Sequence, residues 1–177
     1  MFKTHFHKPL PKQVDPRKFA QQGVILEGFL PLSQLPRVLE ATESPNGNAE
    51  VQLEFKISED GKKAVTGHAT AELSMICQRC LGPVLVPVDS NISLAIVWDE
   101  DAAKGLPEHF DPWILGEGVA DLYDMIEEEL LLSMPSVAYH DEPCIDRKLY
   151  SSGKPVEAKK EKNPFQVLEQ LKSSPKS

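Results

Sequence analysis

The sequence predicts an α+β fold: an antiparallel β-meander or partly closed barrel, packed by a few helices, with flexible N- and C-terminal tails. Two observations carry most of this. Residues 51–57 and 65–75 alternate apolar and polar side chains, the period of half-buried strands, and an Asp-Gly turn joins them. Residues 119–134 then switch to helical spacing, with Leu122, Met125, Ile126 and Leu130 on one face. A third observation sets the limits: from Asp146 the chain turns polar and rich in Lys, Ser and Pro. The expected organisation is a flexible segment at 1–13, a single α+β domain at 14–145, and a mostly disordered tail at 146–177. That tail carries a short amphipathic segment at 163–172.

Taken in order, Asp15-Pro16 starts a helix, with Asp15 as N-cap and Pro16 at the first helical position, and Gly23 ends it. Val24-Ile25-Leu26 reads as a short strand. Ser33 to Thr42 reads as a short helix capped by Ser33, with Pro36 tolerated in its first turn. Val51, Leu53, Phe55 and Ile57 form one strand face. Glu59-Asp60-Gly61-Lys62 turns the chain, and Val65, Gly67, Ala69, Ala71, Leu73 and Met75 form the next face. Cys77 to Pro83 is a second turn. A third run passes through Val84, Val86, Val88, Ile92, Leu94, Ile96 and Trp98, and Pro87 places it at an edge or a bend. Residues 99–118 form a long acidic loop with room for a short strand at Trp113-Ile114-Leu115. Pro135 ends the 119–134 helix.

Composition narrows the function. A hydrophobic share of 41% is enough for a packed core. No apolar run approaches the roughly 20 residues of a membrane span, and Met1 to Pro9 lacks the apolar region of a signal peptide. The expected location is therefore cytoplasmic. Three cysteines without an export signal point to reduced thiols or a metal site, not a disulfide framework. Residues 41–144 carry five basic and twenty acidic side chains, while residues 1–40 and 145–177 are net +3 and +4. An acidic body repels phosphate backbones and attracts basic surfaces, so broad nucleic-acid binding by the body is not expected. The plainer reading, that this charge only keeps the chain soluble, stands beside it.

Few residues carry a chemical pattern. Cys77-x-x-Cys80 in a turn between strands is half of a zinc knuckle, since that spacing lets both thiolates reach one tetrahedral ion. His140 and Cys144 would complete a Cys₃His structural zinc set. The alternative is three reduced thiols with no metal, and the lack of a second CxxC weighs toward it. Asp121, Asp124, Glu127 and Glu128 read as a solvated helix face able to meet a partner, because neighbouring carboxylates on a helix point in different directions. In the tail, Asn163-Pro164 starts a turn with Phe165, Leu168 and Leu171 on one side, a segment suited to docking in a groove. Glycine-rich phosphate loops, HExxH and GxSxG are absent from the sequence, and no small-molecule substrate is expected.

The order of these features resembles a known family. Asp15-Pro16, Cys77-Gln78-Arg79-Cys80, Leu106-Pro107-Glu108, Asp121-Leu122-x-x-Met125-Ile126-Glu127-Glu128-Glu129-Leu130, Leu132-Ser133-Met134-Pro135, His140-Asp141-x-x-Cys144 and Asn163-Pro164-Phe165-x-x-Leu168-x-x-Leu171-Lys172 follow one another along nearly the whole chain. Together they resemble the bacterial large ribosomal RNA subunit accumulation protein family, formerly a family of unknown function. The resemblance implies a cytoplasmic role in the synthesis, processing or stability of large-subunit ribosomal RNA, and the charge split and missing catalytic motifs favour a non-catalytic factor. The charge split fits this: the acidic body suits a ribosomal protein or assembly factor as partner, with ribosomal RNA touched indirectly or through the basic tails. The resemblance supplies no catalytic residues. Two other readings stand: a magnesium-dependent ribosomal RNA-processing hydrolase using the acidic cluster, and a zinc-dependent adaptor in transcription or translation.

Overall fold

A computed structural model describes residues 8–44 and 46–146 of the chain. In order, the elements are β1 (Gln13–Val14), α1 (Pro16–Gln22), β2 (Ile25–Pro31), a 3₁₀ turn (Leu32–Gln34) and α2 (Pro36–Glu40). Then come β3 (Asn48–Ile57), β4 (Lys63–Ile76), β5 (Pro83–Val97), α3 (Glu100–Ala103), β6 (Asp111–Ile114), β7 (Ala120–Asp121) and α4 (Leu122–Ser133). The fold is α+β.

The alternating runs form an antiparallel meander. Val51 pairs with Ala69, Gly67 with Ile92 and Leu73 with Val86, in a sheet ordered β2-β3-β4-β5-β6. The last strand, β6, joins in parallel, Leu94 opposite Asp111. Residues 98–110 cross over to make that possible. The sheet stays open, because its two outer strands β2 and β6 do not pair with one another. The barrel alternative is therefore set aside. Pro87 lies opposite Glu72 on β5, beyond the four residues that β6 covers, so that stretch of β5 has a free edge, one of the two settings the sequence allowed.

Helices cover one face of the sheet. Phe19 of α1 meets Phe55 of β3 edge-on, with ring centroids 5.5 Å apart. Leu122, Met125, Ile126 and Leu130 of α4 are buried with Val65, Ala69, Leu73, Ile92 and Leu94 of the sheet. The other face carries the polar row Glu27, Gln52, His68 and Asn91, which are cross-strand partners in register. Gly67 is required where β4 runs close to β3: a Cβ there would sit 2.0 Å from the Gln52 carbonyl oxygen.

Local chemistry explains the helices and corrects two expectations. Asp15 accepts from the Lys18 N–H at 3.0 Å and Gly23 takes φ +65°, as the start and stop signals predicted. The expected helix from Ser33 to Thr42 is split. Leu35 precedes Pro36 and is pushed to φ −113°, ψ 86°, outside helical space, so a 3₁₀ turn and α2 flank it. The helix expected from Val119 begins at Leu122. Ala120–Asp121 pair with Gln13–Val14, and the Asp121 carboxylate then accepts from the N–H groups of Tyr123 and Asp124.

Residues 8–10, within the segment expected to be flexible at 1–13, make backbone and side-chain hydrogen bonds to β2 and α4. Leu10 N–H donates to the Phe29 carbonyl, Phe29 N–H donates to that of Lys8, and the Tyr123 hydroxyl donates to the Leu10 carbonyl. Gly28 permits this approach, since a Cβ there would lie 2.5 Å from the Lys8 oxygen. Residues 1–7 and 147–177, with the 163–172 segment and its Phe165, Leu168 and Leu171, lie outside the described residues. Among the described residues no helix is long and apolar enough to cross a membrane.

Candidate metal centre

The β4–β5 turn is tight. Cys77 N–H donates to the Gly82 carbonyl, Leu81 N–H donates to that of Cys77, and Leu81 takes the left-handed φ of +61° to close it. This places Cys77 and Cys80 on the same loop. The segment after α4 returns to it: Cys77 forms a parallel bridge with Ala138, and Gln78 N–H donates to the Ala138 carbonyl at 2.9 Å. The Arg79 guanidinium reaches across the same gap to the carbonyl oxygens of His140 and Glu142. Two stretches about 60 residues apart in sequence are thereby clamped together.

The clamp brings Cys77, Cys80, His140 and Cys144 into one cluster, their donor atoms all within 4.8 Å of one another. Cys77 Sγ and Cys144 Sγ are 3.7 Å apart, and Cys80 Sγ and His140 Nδ1 are 3.5 Å apart. The edge of a tetrahedron with ~2.3 Å metal–sulfur bonds is about 3.8 Å, and slightly less toward a nitrogen, so the spacing suits zinc. His140 Nε2 lies 3.0 Å from the Pro83 carbonyl. A carbonyl only accepts, so Nε2 carries the proton and Nδ1 turns a lone pair toward the sulfurs, as a metal-binding imidazole needs. Cys77 is buried, and Cys80, His140 and Cys144 are partly so. All three thiols are free.

The electrostatics favour anions here. Burial opposes the Cys77 thiolate, but hydrogen bonds from the backbone N–H groups of Cys80, then Arg79 and His140, bring the thiol down to about 5. Cys144 is pushed the other way, by burial and by hydrogen bonding to Cys80 and Cys77. Three thiolates around a divalent ion leave a net charge of about −1, and the Arg79 guanidinium sits beside them. The residues present therefore fit a closed tetrahedral zinc site, in which every ligand position is filled by protein.

Of the predicted partner-facing carboxylates, Asp121, Asp124 and Glu128 line one cleft beside β6, and Glu127 does not. Asp121 caps α4 and lies 3.6 Å from Lys12 Nζ. Asp124 is exposed, and Glu128 is paired with Arg37. Glu127 corrects the solvated-face reading. It is 3% exposed and accepts from the N–H groups of Arg37 at 2.7 Å and Val38 at 3.1 Å. It thereby supplies the cap that α2 lacks locally, and it is not available to a partner. On sequence alone Asp111 has no site role, Glu129 reads as part of a solvated helix face and Trp113 reads only as a strand residue. Only the fold places the acidic residues of α4 beside β6.

A family model described as large ribosomal RNA subunit accumulation protein YceD matches residues 65–172. A relative in Haemophilus influenzae, named large ribosomal RNA subunit accumulation protein YceD, is 32% identical over 167 residues, covering 92% of this chain and 96% of that protein. No solved structure matches the chain. The family match takes in the whole β4–β5 turn, the Cys₃His cluster and α4, and the relative spans nearly the full length. This chain belongs to the large ribosomal RNA subunit accumulation protein YceD family.

Proposed function

We propose that this chain is a non-catalytic cytoplasmic factor that supports the synthesis, processing or stability of large-subunit ribosomal RNA by binding a basic protein partner. A structural zinc held by Cys77, Cys80, His140 and Cys144 staples the fold. The name of the Haemophilus influenzae relative supports the ribosomal RNA part of this reading. The observation that carries the non-catalytic part is the donor set. Four protein donors complete a tetrahedral ion and leave no position for substrate, the pattern of structural zinc sites. Among the described residues this is the one group of three or more His, Cys, Asp or Glu donors that converges. The acidic residues of α4 do not: Asp121 caps the helix and Glu127 points at α2. Two-metal hydrolysis needs carboxylates converging on ions about 4 Å apart, so the hydrolase reading has less support.

The body's charge of −15 over residues 41–144 supports a basic ribosomal protein or assembly factor as the partner, and it disfavours bare RNA. The test has two parts. Purified protein, kept reduced, is assayed for zinc and incubated with precursor ribosomal RNA and magnesium. About one zinc per chain and intact RNA support the reading. RNA cleavage that tracks the protein through purification contradicts it.

A further inference from the structure

Edge strand β6 and helix α4 enclose a cleft of about 360 Å³. Its floor is apolar: Leu94, Trp113, Leu115, Ala120 and Met125 line it. Its rim on the α4 side is wholly acidic, formed by Asp121, Asp124, Glu128 and Glu129. Two of these are engaged, Asp121 with Lys12 and Glu128 with Arg37. Asp124 and Glu129 form no ion pair with any described residue. The crowding has a cost in the free protein. Partial burial, Asp111 and Glu128 together push the Glu129 carboxyl above its ordinary range. A cation placed over the rim relieves that repulsion, and an apolar side chain fills the floor below it.

We propose that the cleft between β6 and α4 is the docking site for a cationic segment of a partner protein, one that presents an apolar anchor between lysines or arginines. This rests on the protein-partner reading above and gives it a place on the molecule. Charge complementarity selects the occupant: a net −15 over residues 41–144 and an acidic rim with two unpaired carboxylates repel RNA and acidic peptides alike. The apolar floor separates this site from general attraction to the acidic surface, because only an anchored segment gains from it.

The probe is a synthetic peptide of lysines and arginines flanking a Leu-Phe-Leu centre, with a control carrying serines at the centre. The chain has two tryptophans, so Trp98→Phe in the full-length protein leaves Trp113 as the sole reporter in the cleft. The anchored peptide is expected to bind and shift Trp113 emission. The serine control is expected to bind about tenfold more weakly. Asp124→Asn with Glu129→Gln is expected to weaken the anchored peptide by about five- to tenfold at low salt, with the melting temperature not lowered and metal content unchanged.

Equal binding of the two peptides overturns the proposal, as does an affinity that ignores the double substitution. A Trp113 shift produced by Phe165→Ser and Leu168→Ser before any peptide is added would assign the cleft to the chain's own tail. A Trp113 shift that follows self-association would assign it to a second copy. The two readings fail separately. If peptide binding fails while depletion of the protein still lowers large-subunit RNA, only the cleft assignment falls. If the RNA is unchanged while binding holds, only the ribosomal reading falls.

Discussion

Stripping zinc from this protein should unfasten two distant parts of the chain, and the size of the effect follows from their separation. Cys77 and Cys144 are 67 residues apart, and Cys80 and His140 are 60 apart. A cross-link closing a loop of that length removes unfolded-chain freedom worth about 4 kcal/mol. At roughly 2–4 °C per kcal/mol for a domain of this size, loss of the ion lowers the melting temperature by about 10–15 °C. The assay is thermal unfolding followed by circular dichroism, under reducing conditions, with and without a chelator. Equimolar zinc should restore the original transition, and Cys144→Ser should melt near the stripped protein whether or not zinc is added. Superimposable transitions with and without chelator, or zinc far below one per chain, would refute the reasoning. The cluster would then be three thiols and an imidazole that merely pack together.

Three further outcomes are expected. Glu127→Ala should cost about 3 kcal/mol, because it removes two hydrogen bonds to a carboxylate and strands the buried Val38 amide, whereas Glu127→Gln keeps an acceptor and costs less; chemical denaturation measures both. Gly67→Ala should destabilise by about 3 kcal/mol or more, or shift the β3–β4 register, since its Cβ would meet backbone and not a movable side chain; unfolding and amide exchange across β3 report it. Metal affinity should rise with pH through the Cys144 range. That thiol is held protonated by burial and by hydrogen bonds to Cys80 and Cys77, and the ion must displace its proton. Cys77, already lowered to about 5, adds no slope near neutral pH. Cobalt substitution followed by its visible absorption gives the pH profile, and a flat one contradicts the assignment.

The legible parts of the fold were those set by local chemistry. Val51, Leu53 and Phe55 alternate and are buried, and Asp60-Gly61 turns the chain with Gly61 at φ +71°. Asp15, Pro16 and Gly23 bracket α1 because caps act within one turn. What the sequence left hidden depends on partners distant along the chain. The short strand expected at Trp113-Ile114-Leu115 is β6, but its start at Asp111 and its parallel pairing are set by β5. Trp98 continues the β5 alternation yet lies 56% exposed, because the strand ends at Val97 and the ring is covered by Arg17 instead. Glu127 sits among carboxylates of identical type, and only α2 singles it out. The metal cluster was half legible. CxxC announces itself by spacing, whereas His140 and Cys144 join it only through the bridge from Cys77 to Ala138.

Depletion of the protein in its native host, followed by the ratio of large- to small-subunit ribosomal RNA, tests the central claim most directly. A selective fall in the large-subunit RNA is expected, rescued by the intact chain and not by one lacking Cys77 and Cys144. An unchanged ratio would contradict it and would move the zinc-dependent adaptor reading to the front.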